Sequence, residues 1–386
     1  MPKTRRLTTE TVTHRDIARR CGLARSTVSR ALQNDPAIKE ETRAIIQQTA
    51  RDMGYNAEAQ ESARRLVFRQ YGKVPTHSTI AVLMEPSGQL STYDARVFAG
   101  IWQEAYAHGY ALVTTYLDVA PENKIAVRFP PVLARNEVDG IILAVFPPHL
   151  VYPTLTTFLS DRTIGDFPLA CLFSNEVPGV ISVTPDYFQV GYQAGQYLLA
   201  LGHRHLLHYH YPTLYGSSTD ERLAGVVAAY QDAGLDAQSY LHRFPLTDLM
   251  TDPHSMANYL ATHAATSEQA RSHPLITYLQ AHPDITAVIG INDVNAILAW
   301  RLLEIAGYHI PDEMSVIGCD DTEAFPDDLL VNRLTTIHLP LEEIGRQAAR
   351  RVIAQAEHGD IVAERVVLPI TLRPGQSSGP VTRASR

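Results

Sequence analysis

Hydrophobic and polar residues follow two different periods along the 386-residue chain, and the period changes near residue 79. Before this point, short segments carry apolar residues three or four positions apart, which predicts short amphipathic helices. After it, apolar runs alternate with amphipathic segments, and repeated βα units of this kind predict parallel sheets covered on both faces. We therefore expect an α/β protein in which a small helical head precedes a body of two doubly wound parallel-sheet subdomains.

The head, residues 1–66, contains three predicted helices. The first starts at a segment that resembles a capping box, residues 13–16, and continues to Arg20. The second lies in "GLARSTVSRALQ", residues 22–33, and the third extends from about Glu40 to Met53, before a glycine that suits a helix end. A further helical segment leads into a linker at residues 67–78.

The body, residues 79–374, contains eight predicted strands at residues 79–84, 110–116, 138–146, 167–173, 179–183, 205–211, 285–291 and 314–319. Nearly 300 residues of this pattern exceed one small sheet, so we expect two subdomains. The first would comprise residues 79–198 with 339–366, and the second 199–338 with 367–374. Segment 246–274 does not follow this pattern, and we interpret it as an insertion. The tail, residues 375–386, lacks apolar periodicity and is predicted to be disordered.

The charge is divided between the two parts of the chain. Residues 1–73 contain 15 Lys and Arg but 8 Asp and Glu, whereas the rest contains 18 and 33. A basic head on an acidic body favours a polyanionic partner for the head alone. No apolar run approaches a membrane span, no secretory signal begins the sequence, and the three cysteines lie far apart. These features predict a cytoplasmic, nucleoid-associated protein without membrane contact.

Two short helices joined by a glycine-containing turn predict a helix-turn-helix, whose second helix enters the major groove of DNA. Val28, Ala31 and Leu32 would pack inward, leaving Arg25, Ser26 and Arg30 outward. Arginine can donate two hydrogen bonds to guanine, and serine can bond to several bases. Thr27 and Ser29 are short enough to bond to phosphates. The pattern therefore predicts sequence-specific binding of double-stranded DNA.

The segment "VTHRDIARRCGLARSTVSRALQNDPAIKEETRAIIQQTARDMGY" resembles the DNA-binding head of the lactose/galactose-repressor (LacI/GalR) family of bacterial transcription regulators. Further similarities, "VDGIIL", "LGHR", "ERLAG", "IPDEMSVIGCDD" and "LTTIHLPLEEIGRQAA", extend it over nearly the whole chain. The resemblance implies a periplasmic-binding-protein-like body with a small effector between its subdomains, and a homodimer on a pseudo-palindromic operator. No leucine heptads follow Arg373, so we expect a dimer and not a tetramer.

The resemblance also implies further DNA contacts, from a hinge helix that inserts a leucine into the minor groove. The sequence departs from the family at Ala24, where a capping serine is usual, and after Tyr55, where a proline is missing. The family's alanine-arginine-x-leucine motif also arrives two residues late. The DNA-contacting residues implied in addition to the recognition helix are Thr13, Asn34, Tyr55, Ala63, Arg64 and Leu66.

Four residues match the family's effector-binding positions, namely Asp186, Arg222, Asn292 and Asp320. Most of them follow the carboxyl ends of predicted strands, where open α/β sheets bind ligands. Carboxylates accept hydrogen bonds from hydroxyls and arginine donates to ring oxygens, so this set suits a neutral, sugar-like ligand. Further candidates for effector contact are Ser91, Tyr93, Asp94, Phe146 and Ser218.

A histidine-rich strand raises the alternative of zinc binding through His203, His205, His208 and His210. No cysteine or glutamate completes a tetrahedral set nearby, so we expect no metal and no cofactor. Two other functions are considered, a sugar-binding receptor without DNA function and an enzyme on an α/β scaffold. The missing signal peptide and the basic head argue against the receptor. The chain lacks a nucleophile elbow, a phosphate loop and a His-Glu-x-x-His motif, so we expect that the protein is not an enzyme.

Overall fold

The computed structural model divides the chain into two compact units, Met1–Pro75 and Thr76–Arg386, here called the head and the body. It describes residues 12, 14–32, 38–53, 55, 77–84, 91–119, 125–127, 138–144, 168–174, 177–210, 216–245, 258–262, 264, 266–322, 333–358 and 362–381.

The head consists of three short helices around a small core: α1 (His14–Cys21), α2 (Arg25–Leu32) and α3 (Glu40–Asp52). Ile17, Val28 and Ile46 contribute one fully buried side chain from each helix. Gly22 ends α1 with a φ of 66°, a left-handed conformation that glycine adopts without a steric penalty. The Leu23 N–H donates to the Ala18 carbonyl across this turn, at 3.0 Å. The turn predicted between the first two helices is therefore present.

The strands of the body are short, and most have every described side chain buried or half-buried. In chain order they are β1 (Thr79–Met84), β2 (Ala111–Val119), β3 (Ile125–Val127), β4 (Gly140–Ala144), β5 (Leu169–Leu172), β6 (Ile181–Pro185), β7 (His205–His210), β8 (Leu241–Pro245), β9 (Ile285–Ile289), β10 (Ser315–Asp320), β11 (Thr335–His338), β12 (Glu364–Leu368) and β13 (Thr371–Arg373).

These strands form two sheets, as the repeated βα units predict. The first has the order β12-β6-β5-β4-β1-β2-β3 and the second the order β13-β11-β10-β9-β7-β8. Pairing is parallel throughout both described sheets except where β3 joins β2 and β13 joins β11. The carboxyl ends of the parallel strands consequently gather at one edge of each sheet, where ligands bind in folds of this class.

Helices cover the sheets: α4 (Thr92–Ala107), α5 (Tyr187–Ala200), α6 (Gly216–Asp232), α7 (Ala237–Tyr240), α8 (Ser267–Ser272), α9 (Pro274–Ala281), α10 (Asp293–Ala306) and α11 (Leu341–His358). Residues 258–262 are also helical. Helix α11 packs against α4 and strands β4, β5 and β6. We call the first sheet with α4 and α11 the first lobe, and the second sheet with the remaining helices the second lobe. No helix of the described residues is long and apolar enough to cross a membrane.

The crossover between the lobes lies earlier than the sequence pattern predicts. We expected the first subdomain to extend to residue 198, but α5 packs closely on α6 and lines a cavity with residues of β7, β9 and β10. A Cβ atom on Gly191 would lie 1.7 Å from the carbonyl oxygen of Arg222, so glycine permits this close packing. The chain therefore passes into the second lobe directly after β6.

The prediction of a disordered tail is wrong for residues 375–381, which pack on the second lobe. Ser377 is fully buried. Its hydroxyl accepts from the Thr335 N–H at 2.8 Å and donates to the Val316 carbonyl at 2.5 Å. The Val381 N–H donates to the Leu201 carbonyl at 3.0 Å. Hydrogen bonds rather than apolar side chains hold this segment, so its hydrophobic pattern gives no sign of order.

Candidate functional site

The recognition helix α2 presents polar side chains on the side opposite the core of the head. Arg25, Ser26 and Arg30 are exposed, Thr27 is half-buried, and Val28 is fully buried. This is the division of faces that the spacing predicts. Exposed arginine and serine side chains on a recognition helix can contact base edges in a major groove.

Tyr55 ties the end of α3 to the start of α1. Its hydroxyl lies 2.5 Å from Nε2 of His14, and its N–H donates to the Ala50 carbonyl at 2.8 Å. Burial, and then the charge of Arg25, lower the pKa of His14. Tyr55 therefore braces the head, and its contact with DNA stays a prediction. Several predicted DNA contacts lie outside the described residues, namely Thr13, Asn34, Ala63, Arg64 and Leu66, and so does the side chain of Ser29.

In the body, Arg222 of α6 lies among aromatic and acidic groups. Its Nη1 donates to the Ile291 carbonyl at 2.5 Å, and its guanidinium carbon is 4.9 Å from the centroid of the Tyr187 ring. Burial opposes its charge, but neighbouring acidic groups, Asp320 among them, favour it, and the pKa of Arg222 lies above its ordinary value. Within the described part of the chain, its buried Nε has no hydrogen-bond partner. Arg222 therefore has a charged N–H group that can donate a hydrogen bond to a ligand.

Two tyrosines, one from each lobe, lie close to Arg222. Tyr93 of α4 belongs to the first lobe, and Tyr187 of α5 to the second. Burial is the main cause that raises the pKa of both phenols, and Asp320 adds to the effect in each case. The Tyr93 ring also packs on Phe173, with centroids 5.1 Å apart. Both hydroxyls thus remain neutral at physiological pH and form part of one cluster with Arg222.

Asp320 ends β10 in an unusual backbone conformation. Its φ is 112°, and that of Asp321 is 58°, so two consecutive residues other than glycine lie in the left-handed region. Such strain is typical of ligand sites and switches, where surrounding contacts enforce it. Asp320 is 8% exposed and contributes to the electrostatic environment of Arg222, Tyr93 and Tyr187.

Asp293 is a buried site residue that sequence reasoning missed. It accepts from the Thr336 hydroxyl at 2.5 Å and from the Thr322 N–H at 2.9 Å. Burial, and then the negative charge of Asp320, raise its pKa well above the usual range. Its position directly after Asn292 in "IND" was an available signal, since acidic residues favour the first turn of a helix.

Four predicted effector residues cap helices. Ser91 and Asp94 form a capping box at α4, with the Ser91 hydroxyl 2.7 Å from the Asp94 carboxylate. Asp186 accepts from the Gln189 N–H at the start of α5, and Asn292 accepts from the Asn295 N–H at the start of α10, both at 2.9 Å. These contacts occupy part of their bonding capacity, and their role towards an effector stays a prediction. Ser218 is buried on α6, and Phe146 lies outside the described residues.

The histidines near β7 have different environments. His203 bonds to Thr286 and to the Gly379 carbonyl, His205 lies 3.4 Å from a nitrogen of His242, and His208 is buried beside Arg222. The side chain of His210 is outside the described set. Among the residues that the structure describes, no group of three or more His, Cys, Asp or Glu could hold a metal ion.

Both parts of the chain match known protein families. Residues 13–58 match the family described as bacterial regulatory proteins, lacI family, and residues 196–378 match the periplasmic binding protein-like domain. The sucrose operon repressor of Escherichia coli is 29% identical over 364 residues, which cover 93% of this chain and 98% of that protein.

Solved structures share the fold. The lac repressor dimer bound to operator and the anti-inducer ONPF has a TM-score of 0.63 at 19% identity. The match covers 96% of this chain and 100% of the lac repressor chain. The complex of the transcriptional regulator CelR with cellobiose has a TM-score of 0.59 at 21% identity, with 95% and 99% covered.

Proposed function

Because the chain belongs to the lacI family of bacterial regulatory proteins, we propose that a neutral, sugar-like effector binds between the lobes of its body and controls the affinity of its head for an operator. Like its relatives, which include the sucrose and ribose operon repressors, the chain is a DNA-binding transcriptional regulator and not an enzyme. It acts as a repressor in the bacterial cytoplasm, at the nucleoid.

The cluster of Arg222, Asp320, Tyr93 and Tyr187 is the observation that carries the proposal. The proposed contacts include one cation and several carboxylates, which favours a neutral ligand over an anionic one. Arg222 and the two phenols can donate to ring oxygens, while Asp320 can accept from hydroxyls. Aromatic faces complement the apolar faces of a sugar ring, and buried sites combine such walls with a few polar groups.

The sucrose operon repressor and the CelR–cellobiose complex support the ligand class, because the names of both involve disaccharides. We assign the effector contacts to Arg222, Asp320 and Tyr93, with further contacts from Asp186, Asn292, Ser218, Ser91, Asp94 and Phe146.

We propose further that the protein is a homodimer on a pseudo-palindromic operator. One helix-turn-helix reads only a few base pairs, and a second linked copy makes the second binding event effectively intramolecular. Helix α4 offers a surface for the dimer, because Trp102 and Tyr106 stack with ring centroids 5.6 Å apart although they are 52% and 74% exposed. Exposed aromatic pairs of this kind mark interaction surfaces.

Calorimetric titration of the full-length chain with sucrose and cellobiose tests the ligand class, and glucose 6-phosphate serves as the charged control. We expect binding of a neutral saccharide and none of the phosphorylated sugar. Binding of the phosphorylated sugar alone would contradict the proposed preference for a neutral ligand. Light scattering on the same samples tests the dimer, and a monomer at the concentrations that bind DNA would contradict it.

A further inference from the structure

Arg96 is a residue of the first lobe whose guanidinium also contacts the second. On α4, its Nε and Nη2 donate to the two carboxylate oxygens of Glu342 on α11, at 2.7 and 3.0 Å. Its Nη1 donates to the backbone carbonyl of Asp321 at 2.9 Å. One planar group therefore joins two helices of the first lobe to the turn that follows β10 in the second. Arginine suits this task because its donors form a fixed fork.

The turn that Arg96 contacts is the strained one. Asp320 and Asp321 both have positive φ, so the turn needs contacts that hold it in place. The Asp321 carboxylate accepts from His338 Nδ1 at 2.9 Å and from Arg373. The Thr322 N–H donates to Asp293. These three partners all belong to the second lobe, whereas Arg96 contacts the turn from the first lobe.

We propose that Arg96 is a positioning residue, which holds the Asp320–Asp321 turn against the first lobe and so couples the effector carboxylate to the relative position of the two lobes. The coupling to an effector rests on the proposed function, since it requires that Asp320 contacts the ligand. The contact through which Arg96 holds the turn does not depend on any ligand. The effect of Arg96 on the turn and its effect on ligand binding can therefore be measured separately.

A second ion pair provides a matched control. Arg350 of α11 donates to the Glu104 carboxylate of α4 at 2.8 and 3.3 Å, and thus joins the same two helices with the same forked geometry. No bond from Arg350 to the second lobe is found within the described residues. If Arg96 only fastened α4 to α11, Arg96→Gln and Arg350→Gln would have the same effects.

Hydrogen–deuterium exchange followed by mass spectrometry on the full-length chain without effector tests the first part. We expect amides 320–322 to exchange at least tenfold faster in Arg96→Gln than in the wild type, and unchanged in Arg350→Gln. Arg96→Lys is the second variant, to be used if Arg96→Gln fails to fold. Its single nitrogen cannot bond to both Glu342 and Asp321, so it should accelerate exchange at least threefold. Unchanged exchange, or equal acceleration in Arg96→Gln and Arg350→Gln, would overturn the proposal.

Calorimetry with sucrose and cellobiose tests the coupling. We expect Arg96→Gln to weaken saccharide binding at least fivefold and Arg350→Gln to change it less than twofold. Faster exchange of the turn with unchanged affinity would overturn the coupling to the effector. If the wild type binds neither saccharide, the proposed ligand class fails, and the exchange result still decides whether Arg96 holds the turn.

Discussion

The guanidinium of Arg222 lies over the ring of Tyr187, with 4.9 Å between the guanidinium carbon and the ring centroid. The charge thus rests on an aromatic face, a favourable arrangement for a buried cation. A second contact, to the carbonyl of Ile291, fixes the direction of the side chain. Arg222 is therefore oriented before any ligand arrives, which reduces the entropy lost on binding.

Replacing Arg222 by alanine should weaken saccharide binding at least tenfold. The variant removes a charged donor, and hydrogen bonds to charged groups contribute about 1.5–3 kcal/mol. Calorimetry on the full-length chain measures this. Arg301→Ala is the control, because Arg301 belongs to the same lobe but pairs with Glu304 of its own helix, α10. Equal affinities of Arg222→Ala and the wild type would exclude this site.

Replacing Arg25 by alanine should relax the base preference of the head at one base pair. Arg25 is exposed at the start of α2, and a bidentate contact to guanine contributes about 1–3 kcal/mol of discrimination. Binding to a library of operator variants measures the preference, and an unrelated duplex shows the non-specific affinity. Affinity should also fall steeply with salt, since phosphate contacts release counterions. A uniform loss over all sequences would assign Arg25 to phosphate contact instead.

The unfolding free energy of the body should fall as the pH drops below 6.5, and His203 should carry part of this loss. Burial lowers the pKa of His203, although its bond to Gly379 acts in the opposite direction. The unfolded chain therefore takes up a proton at a higher pH than the folded chain, so acid favours unfolding. Chemical denaturation at pH 7.5 and 5.5 measures the effect. His203→Gln should show a smaller difference between the two pH values, and an unchanged difference would contradict the assignment.

Replacing Ser377 by alanine should destabilise the body by about 1–3 kcal/mol, because the buried Thr335 N–H would lose its acceptor. Denaturant unfolding measures the change. Ser378→Ala is a matched control with a smaller expected effect, since its partners, Tyr197 and Thr335, contribute hydroxyls that can turn elsewhere. Equal stability of Ser377→Ala and the wild type would show that the tail contributes little.

The sequence predicts the elements that repeat a clear hydrophobic period and misses those that do not. The helix-turn-helix and eight of the thirteen described strands of the body follow from such periods. The missed strands are β3, β8, β11, β12 and β13, which have three to five residues each; β8, β12 and β13 are partly exposed, and none of these three is apolar over its whole length. The position of α5 depends on its packing against α6, which no local pattern records.

The candidate site shows a similar division. Motif positions predict Arg222 and Asp320, and the loop after the first strand suggests Tyr93. The spacing of Ser91 and Asp94 is that of a capping box, so their local role was also readable. Tyr187 and Asp293 belong to the site only through the fold, which brings α5 and the start of α10 to the end of β10. Likewise, the contact of Arg96 with Asp321 spans 225 positions of the sequence, and no periodicity indicates it.

The central claim is that the effector in the body and the operator at the head influence each other. By linkage, a saccharide that changes operator affinity must have its own affinity changed by operator by the same factor. An operator duplex is first selected from a random library with the full-length protein. Saccharide affinity is then measured by calorimetry with and without saturating operator. The account predicts affinities that differ at least fivefold, with a matching change when DNA is titrated with and without saccharide. Identical saccharide affinities in the two states would contradict it.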